Sequence, residues 1–133
     1  SESVSDSETA EFCSMMELSG MVDAVDEALI DAASAISGCG PAFVYMFIEA
    51  LSDGGVLCGL PRAKALAYAA QTVSGAAKTV LASGKHPGLL KDEVTSPGGT
   101  TIEGVRALEE KGFRAAAMNS VIAAYEKTIS MKK

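Results

Sequence analysis

Apolar residues recur along most of this chain at the three- and four-residue spacing of α-helices. Ser5 followed by Glu8 forms a capping-box pattern, and Phe12, Met15 and Met16 continue at helical spacing until Ser19-Gly20 ends the run. Residues 21–25, Met-Val-Asp-Ala-Val, are the one plausible strand. Such a strand would be short and would lack partners from this chain, leaving its ladder hydrogen bonds unmade. Asp26 can cap a short helix to about Ile36, which stops at Ser37-Gly38-Cys39-Gly40.

A second helix is expected from Pro41, because a first-turn N–H has no intrahelical partner and its loss costs nothing. Residues 42–48, Ala-Phe-Val-Tyr-Met-Phe-Ile, are apolar on every face and also fit a buried strand. The segment runs on through Glu49 and Ser52 without a turn signal, which favours a helix in the middle of a bundle or at a subunit interface. The next helix begins near Pro61 and ends before Gly84, with Leu66, Ala69, Ala70, Val73, Ala77, Val80 and Leu81 as one stripe. Its other faces are rich in Ala, Ser and Gly, so neighbouring helices can approach closely on several sides. A turn containing His86-Pro87-Gly88 leads to one helical turn. A helix after residues 96–101 follows, and beyond Gly112 comes a last helix lined by Phe113, Ala117, Val121, Tyr125 and Ile129. The pattern predicts an all-α bundle of about six helices, interlocking with a second subunit, plus the short N-terminal strand.

Composition narrows the function classes. With 133 residues, 48% hydrophobic and 21% charged, the chain holds one packed domain of ordinary size. A net charge of -6 argues against nucleic acid or an anionic membrane surface as a partner, both of which need clustered Lys and Arg. The longest uninterrupted apolar run, residues 42–48, is far below the roughly 18 residues a spanning helix needs, and a cytoplasmic location is the default expectation. Cys13, Cys39 and Cys58 are odd in number and scattered, so reduced, mostly buried thiols are expected rather than a disulfide framework or a metal site.

The chemistry concentrates in residues 96–101, Ser-Pro-Gly-Gly-Thr-Thr, directly before a good helical pattern. If Ser96 is the N-cap, Pro97, Gly98 and Gly99 form the first turn and present backbone N–H groups that no side chain shields. If Thr100 is the N-cap, Glu103 completes a capping box and the Ser-Pro-Gly-Gly turn still brings amides together near the helix start. Either arrangement makes a small anion site, whereas a plain corner between helices would need no ligand. His86, the only histidine, reads as part of a structural turn, and Asp92 and Glu93 as a solvated helix face.

The long stretch DEVTSPGGTTIEGVRALEEKGFRAA, residues 92–116, resembles the signature of the pyrroline-5-carboxylate reductase family. Residues 29–62 and 69–94 resemble that family's C-terminal domain in the right order, so the resemblance covers nearly the whole chain. It implies an interlocked homodimer or higher homo-oligomer and NADPH- or NADH-dependent reduction of 1-pyrroline-5-carboxylate to L-proline. It also implies a Rossmann-type nucleotide domain that this chain does not supply. Residues 1–25 would then be the end of that domain and residues 26–133 the dimerisation and substrate-binding domain. No cofactor is expected on this part alone, which is expected to be inactive by itself. Gly38-Cys39-Gly40 is not a dinucleotide fingerprint, because Phe43 stands where the third glycine belongs and a helix precedes it. Carried onto this sequence, the family's substrate carboxylate would be held by Ser96, Gly98 and the amides around Gly99, Thr100 and Thr101. Thr101 would be the catalytic contact to the ring nitrogen. Cys39 stands where the family usually has Ser, and Phe43 where Tyr is common. A non-catalytic oligomerisation module and the C-terminal domain of another NAD(P)-linked dehydrogenase are the alternatives.

Overall fold

Ser5 opens the first helix as its sequence foretells. The Ser5 hydroxyl accepts the Glu8 N–H at 3.3 Å and Glu8 Oε2 accepts the Ser5 N–H at 2.9 Å, a complete capping box. The Ser5 backbone N–H and the Ser5 hydroxyl, which donates to Glu8 Oε2 at 2.8 Å, together hold the Glu8 carboxyl below the usual carboxylate range, the backbone N–H contributing most. The computed structural model describes residues 4–132. Over them run α1 (Asp6–Met16), a 3-10 turn (Glu17–Ser19), a second 3-10 turn (Glu27–Leu29), α2 (Ile30–Ser37) and α3 (Gly40–Leu57). Then follow α4 (Arg62–Ser83), α5 (Pro87–Glu93), α6 (Thr100–Glu110) and α7 (Phe113–Met131). The architecture is all-α, as the apolar spacing predicts, with seven helices where about six were expected because the turn after His86 lengthens into α5.

The strand expected at residues 21–25 is not formed; those residues carry no regular structure. The reason is the one the pattern raised, since an isolated strand has nothing to pair with. The polypeptide instead runs irregularly from Gly20, with φ of 145°, to Asp26. α1 packs chiefly on the 3-10 turn that follows it.

The tightest packing joins α3 and α4 through small residues. Ala65 and Ala69 of α4 are buried, as is Ser52 of α3. A Cβ on Gly55 would meet the Ala65 Cβ at 3.2 Å and Leu60 Cδ1 at 3.4 Å, so this glycine sets how closely the helices approach. Arg62 at the start of α4 ties the pair by donating to Ser52 Oγ at 3.3 Å and pairing with Asp53. The expected α4 stripe is thereby corrected: Ala65, Ala69, Val73 and Val80 turn inward, and Leu66 and Leu81 turn out. α2 packs on α7, where Ala35 is buried and the Lys132 ammonium lies 2.7 Å from both carboxylate oxygens of Asp31. Phe47 and Phe113 join α3 to α7 with ring centroids 5.5 Å apart.

What the chain leaves uncovered is as informative as what it packs. Tyr45 and Met46 are each 69% exposed, in the segment that is apolar on all faces. Cys13 and Cys39 are half-buried and Cys58 is exposed, all three free, so the expectation of mostly buried thiols fails in this chain. Cys58 sits in the α3–α4 turn, where none of the described helices covers it. The helical stretch Glu27–Leu57 is 31 residues long and holds an 18-residue window with a mean hydropathy of 1.3, long and apolar enough by length and composition alone to cross a bilayer. No long unbroken apolar run marks it in the sequence, because Asp31, Ser34, Ser37, Gly38, Gly40, Pro41 and Glu49 interrupt it. The exposed surface totals 10468 Å². A folded monomer of this mass exposes about 6,600 Å², so about 3,900 Å² of additional surface lies open.

Candidate functional site

The segment between α5 and α6 is built by its backbone. Thr95 closes α5, with its N–H and hydroxyl both donating to the Asp92 carbonyl, at 3.1 and 3.0 Å. The Gly99 N–H then donates to the Ser96 carbonyl at 3.0 Å, forming a four-residue turn with Pro97 second and Gly98 third. Gly98 has φ of 66°, the left-handed value a type II turn demands at that place. Gly99 is required for a different reason. A Cβ there would collide with Ser96 Oγ and stand 3.1 Å from the Ser96 carbonyl oxygen.

Gly99 is the N-cap of α6, with φ of -79° and ψ of 170°, and no side chain caps this end. Neither cap expected from sequence is the one formed. Ser96 is the first residue of the Pro-Gly turn, which occupies the positions a Ser96 cap would give to the first helical turn, and its Oγ lies against Gly99 without making a capping bond. Thr100 is already inside the helix. Glu103 consequently completes no box; its carboxylate accepts from Arg106 Nε at 2.9 Å, and Arg106 also pairs with Glu110. Both carboxylates raise the Arg106 pKa, Glu103 more than Glu110. That arrangement draws the one acidic group of the first turn into an ion-pair chain along α6 and leaves the helix start to other anions.

The structure therefore brings Ser96, Gly98, Gly99, Thr100 and Thr101 together on one turn and the first turn of α6. Ser96, Gly98, Thr100 and Thr101 are exposed and Gly99 is half-buried. The first amides of α6 carry the positive end of the helix dipole, and the two threonine hydroxyls stand beside them, which suits a carboxylate next to a second polar group. Thr95 is the positioning residue that sequence reading missed, although a hydroxyl residue directly after a helix end is its signal. His86 caps α5, its Nδ1 accepting from the Gly88 N–H at 3.1 Å, in keeping with a structural role. Glu93 reaches back to Lys85 at 2.6 Å and Asp92 pairs with Lys91. A separate groove of about 450 Å³ runs along α3 and α4, lined by Tyr45, Met46, Glu49, Arg62 and Leu66 among others; none of residues 96–101 contributes to it.

An all-α chain with a glycine-built helix start open to anions, and with far more exposed apolar surface than it buries, is a helical association domain. It belongs to the pyrroline-5-carboxylate reductase dimerisation family, whose pattern matches residues 27–131. A pyrroline-5-carboxylate reductase of Arabidopsis thaliana is 56% identical over 109 residues, covering 82% of this chain and 40% of that protein. One from Escherichia coli K12 is 48% identical over 130 residues, covering 98% of this chain and 48% of that protein. The chain thus spans about half the length, or less, of these curated relatives. Among solved structures, a pyrroline carboxylate reductase of Plasmodium falciparum with NADP bound superposes with a TM-score of 0.89 at 38% identity, over 100% of this chain and 54% of that one. One from Coxiella burnetii gives 0.92 at 31% identity, over 100% of this chain and 50% of that one.

Proposed function

We propose that this chain is the dimerisation and substrate-carboxylate half of a reductase that converts 1-pyrroline-5-carboxylate to L-proline with NADPH or NADH. The observation that carries the reading is the α6 start: a family match over residues 27–131 whose glycine turn ends in an uncapped helix. In this reading the amides of the first turn of α6 and the Ser96 hydroxyl hold the substrate carboxylate. Thr101 meets the ring nitrogen, where a hydroxyl can accept from the protonated imine and from the amine it becomes. Binding both groups orients the C=N carbon, and orientation is what this half contributes to the rate.

The one Gly-x-Gly of the described residues does not fit a dinucleotide turn. Gly38 and Cys39 link α2 to α3, which Gly40 opens, so the triplet does not join a strand to a helix, and Cys39 forms no side-chain cap. The cofactor supplies the hydride in the complete enzyme and would be held elsewhere, and the 133-residue chain alone is inactive in this reading. The family pattern starts at residue 27, whereas likeness to the Escherichia coli protein extends over 130 residues. That difference supports assigning residues 1–25 to the end of the nucleotide domain and 26–133 to the helical domain. A homodimer is the second part of the proposal. It accounts for the open apolar surface better than a bilayer does, because Glu27–Leu57 is two helices broken at Gly38 and Cys39 and carries Asp31, Glu49 and Asp53. A cytoplasmic setting completes it, supported by three free cysteines at scattered positions.

Thr101→Val in the complete enzyme tests the role of the hydroxyl while keeping its shape. Loss of a hydrogen bond to a charged group, at about 1.5–3 kcal/mol, predicts a fall in kcat/KM of roughly ten- to a hundred-fold. kcat is expected to fall as well as KM to rise, since the contact strengthens as the nitrogen changes character. Steady-state rates equal to wild type would remove Thr101 from the site.

A further inference from the structure

The candidate anion site lies in a chain whose net charge is -6, and three carboxylates stand close to it in sequence, Asp92, Glu93 and Glu103. Each is tied to a cation. Asp92 pairs with Lys91, Glu93 lies 2.6 Å from Lys85 Nζ, and Glu103 accepts from Arg106 Nε at 2.9 Å. Glu103 is the one placed to interfere. It follows Thr100 by three residues and Gly99 by four, so it shares their face of α6. A helical side chain leans toward the N-terminal turn by default, which would lay this carboxylate over the first amides of α6, the groups that have no intrahelical acceptor. The positive end of the helix dipole would hold it there. Arg106 draws it the other way, one turn toward the C-terminus, and is itself anchored there by Glu110.

We propose that Arg106 is a positioning residue for substrate binding: by holding Glu103 along α6 it keeps a carboxylate of this chain from competing with the substrate carboxylate at the helix start. The inference rests on the carboxylate site proposed above and adds the group that keeps that site open. Without Arg106, Glu103 becomes an internal competitor tethered one turn from the site. Competition of this kind weakens substrate and transition-state binding alike, because the substrate carboxylate takes no part in the bond changes. It therefore acts on KM and leaves kcat alone.

Arg106→Gln in the complete enzyme tests this, in about 0.15 M salt, where fields are screened beyond about 8 Å. KM for 1-pyrroline-5-carboxylate is expected to rise roughly two- to tenfold, the range of a charge acting at a helix start, with kcat unchanged. Arg106→Lys, which keeps a cation within reach of Glu103, retains the wild-type KM. Adding Glu103→Gln to Arg106→Gln restores the wild-type KM. Because this double variant lacks the ion pairs too, restoration separates competition from lost folding. Adding Glu110→Gln instead removes the same charge about 10 Å further along the helix and is expected to leave KM high. An unchanged KM in Arg106→Gln overturns the inference and leaves the carboxylate site standing. So does a raised KM that Glu103→Gln fails to correct, since Arg106 would then act on the substrate or the fold directly. Equal correction by Glu110→Gln overturns it as well, by assigning the effect to net charge. A complete wild-type enzyme that does not reduce 1-pyrroline-5-carboxylate sinks the site and this inference together.

Discussion

Two adjacent glycines in one turn serve different purposes, and substitutions separate them. Gly98 is fixed by its φ of 66°, with open space where a Cβ would point, so Gly98→Ala costs about 1–2 kcal/mol of backbone strain and no collision. Gly99 has an ordinary extended φ but lies under Ser96 Oγ, so Gly99→Ala displaces the Ser96 side chain instead. The two effects predict different couplings to Ser96. Ser96→Ala is expected to recover part of the stability lost in Gly99→Ala and none of that lost in Gly98→Ala, a non-additivity of about 0.5 kcal/mol or more for the first pair alone. Thermal melts of the three single and two double variants measure both couplings, and strict additivity at Gly99 would mean that Ser96 does not rest against it. The capping box at the other end of the chain makes a titration prediction. Glu8 has a lowered pKa in the folded chain, so the stability it lends α1 is fully present above the usual carboxylate pKa and is lost as pH falls through the lowered one. In Ser5→Ala the carboxyl midpoint read by NMR should rise only part of the way back, because the larger cause, the backbone N–H of residue 5, survives the substitution. A midpoint unchanged from wild type would deny the hydroxyl any share.

Among the helices, the α3–α4 seam shows how far small residues govern packing. Gly55→Leu puts a branched side chain where even a Cβ stands 3.2 Å from Ala65. Overpacking of this kind costs about 1–3 kcal/mol, and a thermal melt should drop by roughly 4–15 °C for a chain of this size. A melt within a degree of wild type would show that the helices separate freely there. The same seam explains what could be read in advance. Helix ends were legible because local chemistry marks them: Ser5 with Glu8, Pro41, Pro61, and Gly84 with its left-handed φ of 63°. Which stripe of α4 turns inward was not legible, since its Leu positions and its Ala positions both recur at helical spacing. Periodicity finds the stripes without saying which one meets this chain and which one meets another. The larger side chains, Leu66 and Leu81, proved to be on the open side. At the site, the residues 96–101 were legible as a group, but the cap was not, because choosing Gly99 depended on a turn bond from Gly99 to Ser96 and on the pull of Arg106 on Glu103.

For the whole molecule the governing quantity is surface. Among the described residues the fully buried apolar side chains are alanines, Ala35, Ala65 and Ala69, whereas residues as large as Tyr45, Met46 and Tyr68 stand open. Such a chain has little core of its own, and on the homodimer reading a second copy supplies the hydrophobic term that should offset chain entropy. A homodimer burying more than ~2,000 Å² in total is therefore expected. Sedimentation equilibrium at micromolar concentration should show no stable folded monomer, and Tm should rise with protein concentration, as mass action requires when association and folding are linked. A folded monomer whose Tm ignores dilution would defeat this expectation. Salt then tells which force holds the pair. Each chain carries a net charge of -6, so two copies repel one another over the distance that about 0.15 M salt screens. If the interface is the apolar surface described above, raising salt removes repulsion and leaves the attraction intact, and Kd should stay level or tighten between low and physiological ionic strength. Ion pairs across the interface would give the opposite sign. A Kd that weakens tenfold over that range would assign the association to charges such as those along α6, and would take the exposed faces of α3 and α4 out of the interface.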